Sequence, residues 1–127
     1  MFKRILLKEL KKWKSQSTRK PLVLRGARQV GKTTLVNQFA KDFEQYIYLN
    51  LELLNDKRPF QQFTTINTLV QTLFFDKNIL LSKKNKTLIF IDEIQEVPEA
   101  LNILRYFFES EPQIVVIAAG SMLETLF

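Results

Sequence analysis

Apolar residues along this chain recur in two rhythms, and the rhythm changes where a proline, a glycine or a polar cluster intervenes. Phe2, Ile5, Leu6, Leu10 and Trp13 fall on one helical stripe, with Lys3, Lys8, Lys11, Lys12 and Lys14 mostly elsewhere. The opening is therefore an amphipathic helix that should pack on the body. Residues 15–20 are polar and aperiodic, a connector into Leu22-Val23-Leu24, which reads as a short strand buried on both faces and entered at Pro21. Helical spacing returns at Leu35, Val36, Phe39, Ala40 and Phe43. Residues 46–52 are aromatic and β-branched in character and read as a second, parallel strand whose C-terminal end carries Asn50.

Asn55 to Pro59 reads as a charged turn, and Phe60 to Phe75 as a helix, with Phe63, Ile66, Leu69, Val70, Leu73 and Phe74 on its apolar face and several threonines where it could break. After a lysine-rich loop at 82–86, residues 87–91 form an apolar strand that ends in Asp92-Glu93. Pro98 suits the first turn of a helix whose buried face is Ala100, Leu101, Leu104, Phe107 and Phe108, widened by Ile103 and Tyr106 and running to about Glu109. Pro112 resets the chain into a buried strand over 114–119, ending at Gly120-Ser121, and a helical pattern begins at Met122. Strands and helices alternate from Pro21 onward without internal repeats, which predicts right-handed crossovers and an α/β fold with a parallel sheet.

At 127 residues the chain buries one core. The expected division is a basic helix and connector at 1–20 and an α/β unit at 21–127. The net charge of +6 is local: residues 1–20 hold eight of the 19 Lys and Arg and one of the 13 Asp and Glu, so this segment carries +7 and the rest −1. Such a segment suits an acidic partner such as nucleic acid, or simply a solvated helix face, and the solvated face is favoured. With neither cysteine nor histidine, disulfides and thiolate metal sites are excluded and zinc is disfavoured, leaving hard oxygen ligands and Mg²⁺. The short run Ile5-Leu6-Leu7 is no signal-peptide core and no stretch reaches membrane-spanning length, so a cytoplasmic protein without a membrane partner is expected.

Between the first strand and the second helix stands Gly26-Ala27-Arg28-Gln29-Val30-Gly31-Lys32-Thr33, which has the spacing of a phosphate-binding P-loop. A glycine at each end lets the loop turn successive backbone N–H groups inward onto phosphate oxygens, and the next helix presents its positive dipole end to the same anion. Lys32 would reach the β- and γ-phosphates and Thr33 would ligate the bridging Mg²⁺, while Thr34 would start the helix or touch the α-phosphate. The bland alternative is a glycine-bearing turn with a solvated lysine, but a strand before and a helix after favour the functional reading. Asp92 and Glu93 follow an apolar strand, and binding groups in open α/β sheets gather at the carboxyl ends of strands. Asp92 would hold Mg²⁺ through water or Thr33, and Glu93 would orient and polarise a water attacking the γ-phosphate. Asn50 and Ser121 end two other strands, where each could reach Glu93 or the γ-phosphate or be an ordinary turn residue.

GARQVGKT, IFIDEIQ and AAGSML together resemble the AAA+ superfamily of P-loop ATPases, and most of all its bacterial and archaeal members with a C-terminal nuclease-like domain. The likeness runs from about Lys20 to Phe127. It implies a three-layer P-loop sandwich with four strands in the order 2-3-4-1, and Mg-ATP held by Lys32, Thr33 and Asp92. It implies Glu93 as catalytic base, Asn50 as the switch restraining that glutamate and Ser121 as γ-phosphate sensor. A fifth strand, an arginine finger from a neighbouring subunit and a helical lid would follow Ser121, so the chain is expected to be an N-terminal fragment or truncated relative with an unprotected edge on its first strand. Neither Arg28 nor Arg105 is assigned a catalytic role. The function so implied is ATP hydrolysis coupled to moving or remodelling a macromolecule, with homo-oligomers forming through the ATPase face. Three alternatives compete. A GTPase would need Asn-Lys-x-Asp, but Asn85-Lys86 continues with Thr87-Leu88. A kinase would exclude the water that Glu93 is placed to activate. A non-catalytic nucleotide-binding or interaction module would fit a chain lacking finger and lid.

Overall fold

The computed structural model describes residues 2–16, 18–24 and 30–120. Helix α1 (Phe2–Lys14) leads to β1 (Leu22–Leu24), α2 (Val30–Phe39), β2 (Gln45–Asn50), α3 (Leu54–Gln62), α4 (Ile66–Asp76), β3 (Thr87–Asp92), α5 (Ala100–Ser110) and β4 (Val115–Ala119). The burial expected of the Phe2, Ile5, Ala100 and Leu101 side chains, and the helical pattern from Met122, lie outside the described residues.

All three strand pairs are parallel and the spatial order is β2-β3-β4-β1, as the alternation of elements and the resemblance predicted. The central strands are apolar throughout because helices cover both of their faces: Leu88 to Ile91 and Val115 to Ala118 are at most 3% exposed. Among the described residues β1 pairs only with β4 and is half-buried along its length.

Successive strand residues point to opposite faces, and this sorts the core in two. Ile47, Leu49, Ile89, Ile91, Val116 and Ala118 pack under α3, α4 and α5 with Phe60, Leu69, Leu73 and Phe107. Leu88, Phe90, Val115 and Ile117 pack under α1 and α2 with Leu10, Leu35, Val36 and Phe39. The result is a three-layer α/β/α sandwich. The opening helix does pack on the body, through buried Leu10 and half-buried Trp13, whose indole N–H donates to the Lys20 carbonyl at 2.9 Å.

Several boundaries differ from those expected. The charged turn at Asn55 to Pro59 is instead part of α3. Pro59 removes one backbone bond, to the carbonyl of Asn55, which is water-exposed, while Phe60 anchors the helix in the core. The break falls at extended Phe63, and Thr65 then caps α4 reciprocally with Thr68. Leu51 and Glu52 leave β2 in a turn closed by the Leu53 N–H on the Asn50 carbonyl at 2.9 Å. Phe43 lies beyond α2, after a 3₁₀ turn, and residues 81–86 are 3₁₀ turns rather than open loop. Pro98 precedes α5 by two residues, because buried Ile94 and Val97 first anchor a 3₁₀ turn over Ile94–Glu96.

Candidate functional site

Register places the ends of all four strands in one row. Leu24 pairs with Ala119, Ile91 with Ala118 and Asn50 with Asp92, so Asp92 is level with Leu24, the last residue of β1. Only β4 intervenes between β1 and β3, a separation of two strand spacings, about 10 Å. Alternation adds direction: Asp92 follows Leu88 and Phe90 by twos and so points to the face that α2 covers.

The acidic end is held by short bonds. Asp92 Oδ2 accepts from the Tyr48 hydroxyl at 2.9 Å, and Oδ1 accepts from the Glu93 N–H at 3.0 Å. Each oxygen keeps a further lone pair. Burial, then the hydrogen bond to Asp92, raises the Tyr48 phenol to about 12, so Tyr48 is a neutral donor across the physiological range. Glu93 is buried and takes the left-handed conformation, φ 54° and ψ 46°, which is uncommon for a residue with a Cβ. Its Oε1 accepts from Gln95 Nε2 at 2.9 Å, and its carbonyl accepts from the Glu96 N–H at 3.1 Å. Asn50 stands beside Asp92 in register, with its Oδ1 accepting the Glu52 N–H at 3.0 Å and its own N–H donating to Asp56 at 3.0 Å.

On the other side, Val30, Gly31, Lys32 and Thr33 form the first turn of α2, which contains no acidic residue. Lys32 and Thr33 are half-buried, and Thr34 is exposed. A lysine in the first turn opposes the helix dipole, an arrangement that favours an anion nearby. A Cβ built on Gly31 would meet nothing within 4 Å among the described residues, so neither packing nor a positive φ calls for glycine there. Gly26, Ala27, Arg28, Gln29 and Ser121, and the Val30 side chain, lie outside the described residues. A cleft of about 470 Å³ between α3 and α4 has none of these site residues in its walls.

Residues 18–127 match a family described as an AAA domain. The chain belongs to that family. No match is found among curated proteins. AAA domains bind nucleotide through a P-loop, and the residues present fit such a ligand. Thr33 and Asp92 offer hard oxygen donors, as a Mg²⁺–phosphate complex needs. Among the described residues no group of three His, Cys, Asp or Glu side chains is placed to hold a metal ion. No helix among the described residues of this AAA domain is long and apolar enough to cross a membrane.

Sequence reasoning missed Tyr48 and Gln95. Tyr48 had a signal: it sits two residues before Asn50 on the same strand face, within reach of a neighbour in register. Gln95 had none beyond following the acidic pair, because a two-residue side-chain bond depends on the left-handed turn at Glu93.

Proposed function

We propose that this AAA domain binds ATP with Mg²⁺ and hydrolyses it, driving movement or remodelling of a macromolecule from the cytoplasm. Support comes chiefly from one observation: β1, which the P-loop sequence follows, and the acidic end of β3 finish level at one sheet edge, two strand spacings apart, and α2 packs on the face to which Asp92 points. In this reading Gly26 to Gly31 wrap the phosphates, Lys32 binds the β- and γ-phosphates, and Thr33 with Asp92 would hold Mg²⁺, which when bound neutralises phosphate charge. Glu93 orients a water and takes its proton as the water oxygen bonds to the γ-phosphorus. The bond from that phosphorus to the β-phosphate oxygen breaks, leaving ADP and phosphate. Ser121 senses the γ-phosphate and Asn50 is coupled to Glu93. Homo-oligomers would form through the ATPase face and supply the arginine finger. The narrower kinship, with ATPases carrying a C-terminal nuclease-like domain, belongs to the same proposal and rests on GARQVGKT, IFIDEIQ and AAGSML.

The test separates binding from chemistry. Glu93→Gln is expected to keep ATP affinity within a few-fold while single-turnover hydrolysis falls by about 10² or more. Lys32→Ala is expected to weaken binding itself. Equal hydrolysis by Glu93→Gln and the parent would remove Glu93 from the role of base.

A further inference from the structure

Glu93 can act on a water only if its carboxylate is held in one place, and one side chain bonded to that carboxylate is Gln95. The Gln95 amide N–H donates to Glu93 Oε1 at 2.9 Å. The amide cannot be turned round, because its carbonyl oxygen would then face a carboxylate oxygen, two acceptors without a proton between them. In the orientation this imposes, Gln95 Oε1 is buried with no hydrogen-bond partner among the described residues. Buried carbonyl oxygens are nearly always paired, and a side chain present only for packing would do better as an apolar residue of the same size. Among the described residues, the bond that accounts for a glutamine here is the one to Glu93.

The backbone presets this bond. Glu93 is left-handed, the Glu96 N–H closes onto the Glu93 carbonyl at 3.1 Å, and the Val97 N–H closes onto Ile94 at 3.1 Å. Ile94 and Val97 are both buried, so the turn carrying Gln95 is pinned to the core on both sides. Asn50, by contrast, points its Oδ1 at the N–H of Glu52 in its own turn.

We propose that Gln95 is a positioning residue that fixes the Glu93 carboxylate for activation of the attacking water. This rests on Glu93 being the base, as proposed above. Gln95→Met keeps the volume and removes the unpaired oxygen, so it separates positioning from folding. Its melting temperature should equal or exceed the parent's, its affinity for ATP should stay within twofold, and its single-turnover rate should fall about tenfold or more. Combined with Glu93→Gln it should be no slower than Glu93→Gln alone, since both changes disable one unit. A second readout needs no turnover: the pair of side-chain amide NMR signals that Gln95→Met deletes should move in nucleotide-free Glu93→Ala. Signals that stay in place, an unchanged rate in Gln95→Met, or losses that multiply in the double variant would overturn the assignment. Parental hydrolysis by Glu93→Gln would instead sink the reading of Glu93 as base, and where turnover is too slow to compare, the NMR shift decides whether Gln95 holds it.

Discussion

β3 and β1 both end at the edge where the candidate site lies, yet β3 is paired on each side and β1, among the described residues, on one side only. The residues of β3 up to Ile91 are fully buried, and the carboxylates that follow are fixed by the Tyr48 hydroxyl, the Glu93 N–H and the Gln95 amide. The three residues of β1 are half-buried, and so are Gly31, Lys32 and Thr33 at the head of α2. The contrast teaches a division of labour. The acidic end is organised by bonds within the protein, whereas in the proposed reading the positive dipole end of α2 and Lys32 would be stabilised by an anionic ligand.

The largest expected effect tests that contrast in the strands themselves. Phe90→Ala should cost about 3–5 kcal/mol of unfolding free energy. Val23→Ala, removing half-buried methyl groups from β1, should cost about 1 kcal/mol or less. Chemical denaturation of both variants checks this, and equal losses would erase the distinction. Next comes ligand linkage: ATP with Mg²⁺ at a hundredfold excess over Kd should add about 2.7 kcal/mol to the stability of the parent. At the same concentration Lys32→Ala should gain clearly less. Thermal shift read against ATP concentration measures the difference, and an equal gain would detach Lys32 from the ligand.

A smaller effect lies at high pH. The Tyr48 phenol is raised in the folded, nucleotide-free protein, from 10 to about 12. The folded state therefore binds the phenolic proton more tightly than the unfolded chain does. The resulting stability is complete below pH 10 and is lost as pH climbs from 10 toward 12. Tyr48→Phe should flatten the stability–pH profile across that window, read by denaturation at pH 9 and pH 11. A profile as steep as the parent's would mean that the Tyr48 phenol is not raised on folding. Tyr46, whose phenol burial also raises, adds to the same loss above pH 10, so Tyr48→Phe lowers the slope without abolishing it.

What the amino-acid pattern revealed, and what it concealed, follows the same divide between backbone and side chain. Continuous apolar runs such as residues 87–91 announce central parallel strands because both faces are buried, whereas the strand order came from the family resemblance and not from the pattern itself. The placement of Asp92 and Glu93 at a strand end was legible for the same reason. Asn55 to Pro59 misled, since polar residues and a proline usually signal a turn, yet an exposed helix loses only one backbone bond to Pro59 while buried Phe60 anchors it. The Tyr48–Asp92 and Gln95–Glu93 bonds leave no period in the sequence. The first depends on which residues stand next to each other across β2 and β3, the second on a single left-handed residue.

The central claim is that the first turn of α2 and the end of β3 close on one metal–nucleotide complex. Mn²⁺ substituted for Mg²⁺ with ATP broadens the NMR signals of nearby amides, and the Gly31, Lys32 and Thr33 amides should fade together with those of Asp92 and Glu93, and only when ATP is present. Fading at 31–33 with sharp signals at 92 and 93, or fading at neither, would contradict it.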